Sequence, residues 1–433
     1  MTSQEKLDRP SPIDTTHRFH QVKRLSSLLL IYAAILQDDS VRIIALKVVG
    51  ATFKNIHCVF FRSLSETSPV FRSEALVLDI PEYQRFKHTA AYVTCPAPTH
   101  RQAAGKARYV GLANEKSLAL HIMPNVILPL EGSGNEDERK EKKEDEVLGY
   151  RRFNRLEEPD QNVGLTVCVP AMYGFNNAAQ LVEKIEMSRL LGAERIVLYN
   201  YSISPNIDAV LRMYAREWST GKETLEIKVF PWHLPLIEQN GQMEILNIHY
   251  LGQMATIDHC LHRYRKSSKY IAFTDMDEFV IPLQHNTLLD LVADRQSRNA
   301  STMGFLFQCS VFNKDRPSLA PGFEEDARRY GSAVLGVTSR DDFYFPPRVR
   351  SKFIVDPKKV DVMGIHFIWN GSGSIDTVPL DQGFLAHYRD PLKKSKPGVV
   401  DTRVVDRFGK RLVVRLRKVW SKLKGVDLDL SQG

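Results

Sequence analysis

Between residues 163 and 277 short apolar runs alternate with helical stripes. "VGLTVCVP" (163–170) is continuously apolar, the pattern of a strand buried on both faces. In the segment that follows, Ala178, Leu181, Val182 and Ile185 fall at i, i+3, i+4 and i+7. Asn176 can cap that helix and Gly192 can stop it. "RIVLYNY" (195–201) is a second strand, and Ile207, Val210, Leu211, Tyr214 and Trp218 form a second helical stripe. "LEIKVFPW" (225–232), a helix around 244–265 and the strand "KYIAF" (269–273) complete the run. This β-α-β-α-β-α-β order predicts an α/β fold, a parallel sheet with helices on its faces. No fixed-period repeat points to a solenoid instead.

In open α/β sheets ligands bind at the carboxyl ends of the strands. The loops "PAMYGF" after the first strand and "TDMDEF" after the fourth therefore open on one edge. Asp275 and Asp277, two residues apart, would project to one face if that segment stays extended. Their oxygens suit Mn²⁺ or Mg²⁺, and such an ion can neutralise a leaving diphosphate. The other reading is a polar strand end. The triplet alone is weak, because Asp427-Leu428-Asp429 repeats it in a polar tail where no function is assigned. Position at a ligand edge favours metal binding for the first. Two enzyme classes place such a motif after an apolar strand: nucleotide-sugar glycosyltransferases and haloacid-dehalogenase-type phosphatases. In the second, Asp275 would be the nucleophile of a phosphohydrolase. Phe279 stands where that motif has Thr or Val, and three βα units precede Asp275; both points favour the transferase.

Outside this core the chain divides by character. Residues 1–27 are polar, and 28–130 read as a smaller β-rich unit built on runs such as "SVRIIALKVVG" and "AAYVTCP". Residues 131–160 form a charged linker or loop, 161–395 the catalytic domain, and 396–433 a basic helix and tail. "LSSLLLIYAAIL" (25–36) is too short to span a bilayer, which takes roughly 18 apolar residues, and reads as a buried strand. Net charge is +8, but Lys and Arg are interspersed with Asp and Glu, and no RRM, KH or zinc signature supports nucleic-acid binding. Five cysteines, none in a CxxC pair, allow two disulfides and one free thiol. Sequons stand at Asn200, Asn299 and Asn370.

Several segments resemble glycosyltransferase family 92. They are "YVTCPAP", "TVCVPAMYG", "LLGAERIVLYNYS", "GQMATIDHCLHRYRKSSKYIAFTDMDEFVIP", "RSKFIVDP", "MGIHF" and "AHYRDP", in order over about residues 30–395. The resemblance implies a GT-A fold with a mostly parallel central sheet. It further implies a UDP-sugar donor (UDP-galactose in family members), a divalent metal, inversion at the anomeric carbon, and a glycan or glycoprotein acceptor. Asp275 and Asp277 would be the metal and diphosphate aspartates, with His387 as a further metal ligand and His366 as second choice. Lys352 and Arg389 would meet the diphosphate, and Pro170, Tyr173, Asp258 and the Cys168 region would line the nucleotide edge. Inversion needs a general base from beyond the fourth strand, for which Glu324, Glu325, Asp326, Asp341 and Asp342 are candidates. Glu278 could be structural or touch the sugar. Family members are type II Golgi membrane proteins. An anchor is not evident here, since "IYAAILQDDSVRIIAL" matches the family's first strand region better. A non-catalytic glycan-binding relative is the remaining alternative.

Overall fold

The computed structural model describes residues 18–131 (except 23–24, 27, 83–84, 99–106, 120–123 and 125), 162–239 (except 223), 242–315, 320–390 and 398–429. The charged run expected at 131–160 lies outside the described residues beyond Glu131, as does most of the polar N-terminus. The described residues fall into two compact units. Those up to 131 join 231–263, and 162–230 join 264–429.

The first unit is the expected β-rich one. Its apolar run forms the strand Leu29–Leu36, which pairs antiparallel with Ser40–Val48, and that in turn with His88–Pro96. Nine strands join in one sheet. Ile31, Ile43, Phe60 and Val93 pack in its core, and Cys58 is disulfide-bonded to Cys95.

Residues 231–263 depart from expectation. Instead of a helix from about 244, the hairpin Leu236–Gln239/Gln242–Ile245 leads to the helix Gln253–Arg263. Gly252, at φ 80°, makes the break before it, in a region that favours glycine. The helix is not a crossover of the catalytic sheet but part of the first unit. Its face is charged and buried there: Asp258 pairs with Arg42 at 3.4 Å and Arg263 with Glu131 at 3.0 Å. Trp232, also buried, packs its ring 4.6 Å from that of Tyr32.

The second unit carries the predicted alternation. Its strands are β1 (Val163–Met172), β2 (Arg195–Asn200), β3 (Glu226–Pro231), β4 (Ser268–Phe273), β5 (Glu278–Pro282), β6 (Thr302–Phe307), β7 (Cys309–Asn313), β8 (Lys352–Val355), β9 (Ser374–Thr377) and β10 (Gly383–Arg389). The helices used below are α1 (Ala178–Leu190), α2 (Pro205–Ser219), α3 (Leu288–Arg298) and α4 (Arg403–Lys422). The central sheet runs β3-β2-β1-β4-β8-β6-β9. β1 is parallel to β2 and β4, and β9 is parallel to β6, while β8 lies antiparallel between β4 and β6. This mostly parallel α/β sheet, preceded by a smaller β-rich unit, is the GT-A-type arrangement anticipated. In a second sheet β10 pairs antiparallel with β5 and parallel with β7.

Local chemistry explains the helices. Asn177, one residue after the expected cap, accepts from the Gln180 amide at 2.7 Å and starts α1. Gly192, at φ 95°, follows its end. The basic C-terminal stretch is the packed helix α4, which buries Phe408, Leu412 and Leu416 and lies against α1.

Candidate active site

The aspartate triplet sits where the chain leaves one sheet and enters the other. β4 ends at Phe273, the Thr274 amide still donates to the Cys168 carbonyl at 3.2 Å, and β5 begins at Glu278. Residues 274–277 are therefore a turn and not an extended strand end. The turn is closed on itself. The Glu278 amide donates to the Asp275 carbonyl at 3.2 Å, and the Glu278 carboxylate accepts from the Asp275 amide at 2.9 Å. The Tyr388 amide on β10 fixes the Asp277 carbonyl at 2.9 Å.

Lys184, on α1, holds this turn from below. Its ammonium donates to Thr274 Oγ1 (2.9 Å), the Asp275 carbonyl (2.8 Å) and the Glu278 carbonyl (2.7 Å). The side chain is fully buried. Burial pushes its pKa down to about 8, against the pull of the Glu278 and Asp275 charges. Sequence reasoning missed Lys184, because helical periodicity marks it only as a polar position. The available signal is slight: Glu183, Lys184 and Glu186 interrupt an apolar stripe, and all three are buried.

The two carboxylates meet different cations. Asp275 Oδ2 lies 3.0 Å from Lys352 Nζ, which also reaches Glu278 at 3.2 Å. The Lys352 side chain is 3% exposed and that of Asp275 34%. Burial works against the Lys352 ammonium, yet the Asp275 and Glu278 charges raise its pKa overall. Asp277 Oδ2 lies 3.3 Å from His387 Nε2, and His387 Nδ1 is 3.5 Å from Glu278 Oε1. Burial would lower the His387 pKa, but the Asp277 hydrogen bond and the Glu278 charge raise it. Burial raises Asp277 in turn, and the His387 hydrogen bond and charge bring it below the ordinary value. The β5–β10 register sets this contact by placing His387 opposite Glu278.

The other expected residues are placed unevenly. His366 Nδ1 donates to the Ser351 carbonyl at 3.0 Å, which leaves Nε2 as its acceptor nitrogen; burial and then the Lys352 charge keep its pKa low. Arg389 Nε donates to the Asp390 carbonyl at 3.2 Å. Tyr173, after β1, is 58% exposed, with its ring 5.3 Å from that of Tyr201 after β2. Pro170 lies within β1. Asp258 belongs to the first unit, where it is fully buried between Arg42 and His262. Glu324, Glu325 and Asp326 open the helix Glu324–Tyr330, while Asp341 and Asp342 follow the strand Ser339–Arg340. Among the described residues, none of these five is hydrogen-bonded or ion-paired to the 275–278 turn.

Among the described residues no group of three or more His, Cys, Asp or Glu side chains is arranged to hold a metal ion by itself. The donors available are the Asp277–His387 pair with Asp275 beside it. That partial set fits an ion of the Mg²⁺ or Mn²⁺ kind, which binds through one or two protein carboxylates and takes its remaining ligands from substrate phosphate and water. Glu278 behind His387 is the carboxylate partner that metal-binding histidines commonly have.

A profile of glycosyltransferase family 92 matches residues 163–422, more than half of the chain. The chain belongs to glycosyltransferase family 92. Its curated relatives include the beta-1,4-galactosyltransferase galt-1 of Caenorhabditis elegans, 30% identical over 153 residues that cover 34% of this chain and 33% of the relative. A second, the glycosyltransferase family 92 protein F13G3.3 of the same organism, is 26% identical over 121 residues, 27% of this chain and 23% of that protein. The alignments thus span a third or less of either relative's length. Similar solved structures include GalNAc-T7 with UDP, GalNAc and Mn²⁺ (13% identity, TM-score 0.30, 64% of this chain and 54% of that one). Staphylococcus aureus TarS with UDP is another (12%, TM-score 0.29, 62% and 68%). The Mycobacterium tuberculosis glucosyl-3-phosphoglycerate synthase with Mn²⁺, UDP and its product is a third (12%, TM-score 0.27, 61% and 81%).

Proposed function

We propose that this family 92 glycosyltransferase is a metal-dependent, inverting hexosyltransferase that moves galactose from UDP-galactose to a glycan acceptor. The observation that carries the reading is the Asp277–His387 pair beside Asp275, held at the carboxyl edge of β4. Asp277 and His387 would hold the ion, with Asp275 beside them. Such an ion, when bound, supplies positive charge to the leaving diphosphate. Lys184 and Lys352 keep the turn and its carboxylates in place before substrate arrives. The Tyr173–Tyr201 pair, with Tyr173 exposed, offers an aromatic platform for the uracil ring. In the transfer an acceptor hydroxyl oxygen bonds to the anomeric carbon as the bond to the diphosphate oxygen breaks. The hydroxyl proton passes to a base, for which Glu324, Glu325, Asp326, Asp341 and Asp342 stand as candidates.

Galactose as the donor sugar is supported by the name of the first relative, and family membership weighs against a phosphohydrolase that uses Asp275 as nucleophile. The Cys58–Cys95 disulfide supports an oxidising compartment, here proposed as the Golgi or another secretory lumen. No described helix is long and apolar enough to cross a membrane.

A donor screen tests the reading. Thermal stabilisation of the full chain by each UDP-sugar, with and without Mn²⁺, should be largest for UDP-galactose with Mn²⁺, and that mixture should turn over. Absence of any Mn²⁺-dependent shift with UDP or a UDP-sugar would overturn it. A glycan-array signal without turnover would favour the non-catalytic alternative.

A further inference from the structure

A donor diphosphate needs cations that the protein has not already neutralised. Lys184 and Lys352 are buried and engaged within the turn, and Arg389 Nε is held by the Asp390 carbonyl. Arg350, two residues before Lys352, differs from all three. Its guanidinium lies 5.0 Å from the centre of the Phe345 ring, and no carboxylate pairs with it among the described residues.

Its backbone is strained. Arg350 has φ 55° and Arg348 φ 70°, a region where residues other than glycine, asparagine and aspartate are uncommon. Such strain persists only where the surroundings over-determine it, and it clusters at ligand sites. Here the surroundings are visible. The Phe345 amide donates to the Cys309 carbonyl at 2.8 Å, and Gln308 Nε2 to the Phe345 carbonyl at 3.0 Å. The Arg348 amide donates to Ser351 Oγ at 3.0 Å, and the Ser351 carbonyl accepts from His366. The Phe345–Cys309 bond ties the 343–351 loop to β7, the strand that pairs Val311 with His387, and the others fix the loop to itself, to Gln308 and to His366. The charge of Arg350 extends to the same place. Burial and the Glu278 charge push the Cys309 thiol up while Arg350 opposes them, and Arg350 adds to burial and Lys352 in holding His366 low. Lys314 also acts on Asp277, but from a backbone without positive φ; of the two strained arginines, Arg350 is the one whose charge acts on Cys309 and His366.

We propose that Arg350 binds the diphosphate of the donor, with the 343–351 loop clamping its guanidinium over Phe345 to face it. The inference rests on the reading of the Asp277 centre as a UDP-sugar site. Calorimetric titration of the full chain with UDP and with uridine, both with Mn²⁺, tests it on wild type, Arg350→Gly and Arg350→Lys. Glycine adopts φ 55° without strain, so Arg350→Gly should melt no lower than wild type. Its UDP affinity should fall about tenfold or more, as expected for loss of a charge-assisted contact, with uridine affinity within about twofold and Arg350→Lys in between. UDP affinity equal in wild type and Arg350→Gly overturns the proposal and leaves the functional reading intact. Equal loss of UDP and uridine binding with a lowered melting temperature assigns Arg350 a structural role and also overturns it. Failure of wild type to bind UDP overturns the functional reading, and this inference with it.

Discussion

The chain carries the same acidic triplet twice, and the two copies meet opposite surroundings. At 275–277 the carboxylates face cations: Lys352 from β8 and His387 from β10, over a backbone held by Lys184. At 427–429 the acceptors face amides. Asp429 Oδ2 accepts from Asn177 Nδ2 at 3.0 Å, the Leu428 carbonyl from the Ala179 amide at 2.9 Å, and the Asp427 carbonyl from Asn206 Nδ2 at 3.1 Å. The second copy satisfies the Ala179 amide, which a helix start leaves without an intrahelical partner, and two asparagine side chains. The first gathers charge at the carboxyl edge of β4. What distinguishes them is not the triplet but the cations that the fold brings to it.

The largest effect should come from Asp277→Ala. We expect kcat/KM to fall by about 10³-fold or more, with the melting temperature near that of wild type. Wild-type turnover with unchanged metal dependence in that variant would erase the distinction between the copies. Lys352→Met should act on stability. It leaves Glu278 buried and Asp275 partly buried without their lysine, which should cost on the order of 3 kcal/mol in urea denaturation. An unchanged midpoint would mean that charge pairing matters no more at 275 than in the tail. Asp429→Ala should be the mildest, losing about 1 kcal/mol or less, with turnover within about twofold of wild type. A large loss of activity there would put the two triplets on an equal footing.

The alternation from 163 to 231 was legible because central strands of a parallel sheet are apolar on both faces and their helices carry one stripe. The cap of α1 was missed by one residue, since two adjacent asparagines offer the same chemistry and only the entry geometry chooses Asn177. Asp275, Asp277 and His387 were named from resemblance and position, and the β5–β10 pairing brings the last two together. Lys352 was expected at the diphosphate; it is buried because β8 inserts between β4 and β6. Lys184 was hidden for a related reason. A local pattern cannot reveal that the 274–278 turn, about ninety residues later, is bonded by Lys184. Nor can a helical period say which unit a helix joins, and the helix of Asp258 joins the first.

The excursion at 231–263 also sets an order of events on the ribosome. The helix that brings Asp258 to Arg42 emerges only after β1, β2 and β3, and β4 with its triplet follows directly. Neither unit can therefore be completed during synthesis before the other has begun. A fragment ended near 145 would lack the helix of its own unit, and one begun near 162 would carry a hairpin and a helix that belong elsewhere. Expression designs that divide this chain at its charged run split the first unit and leave its hairpin and helix on the fragment that carries the second.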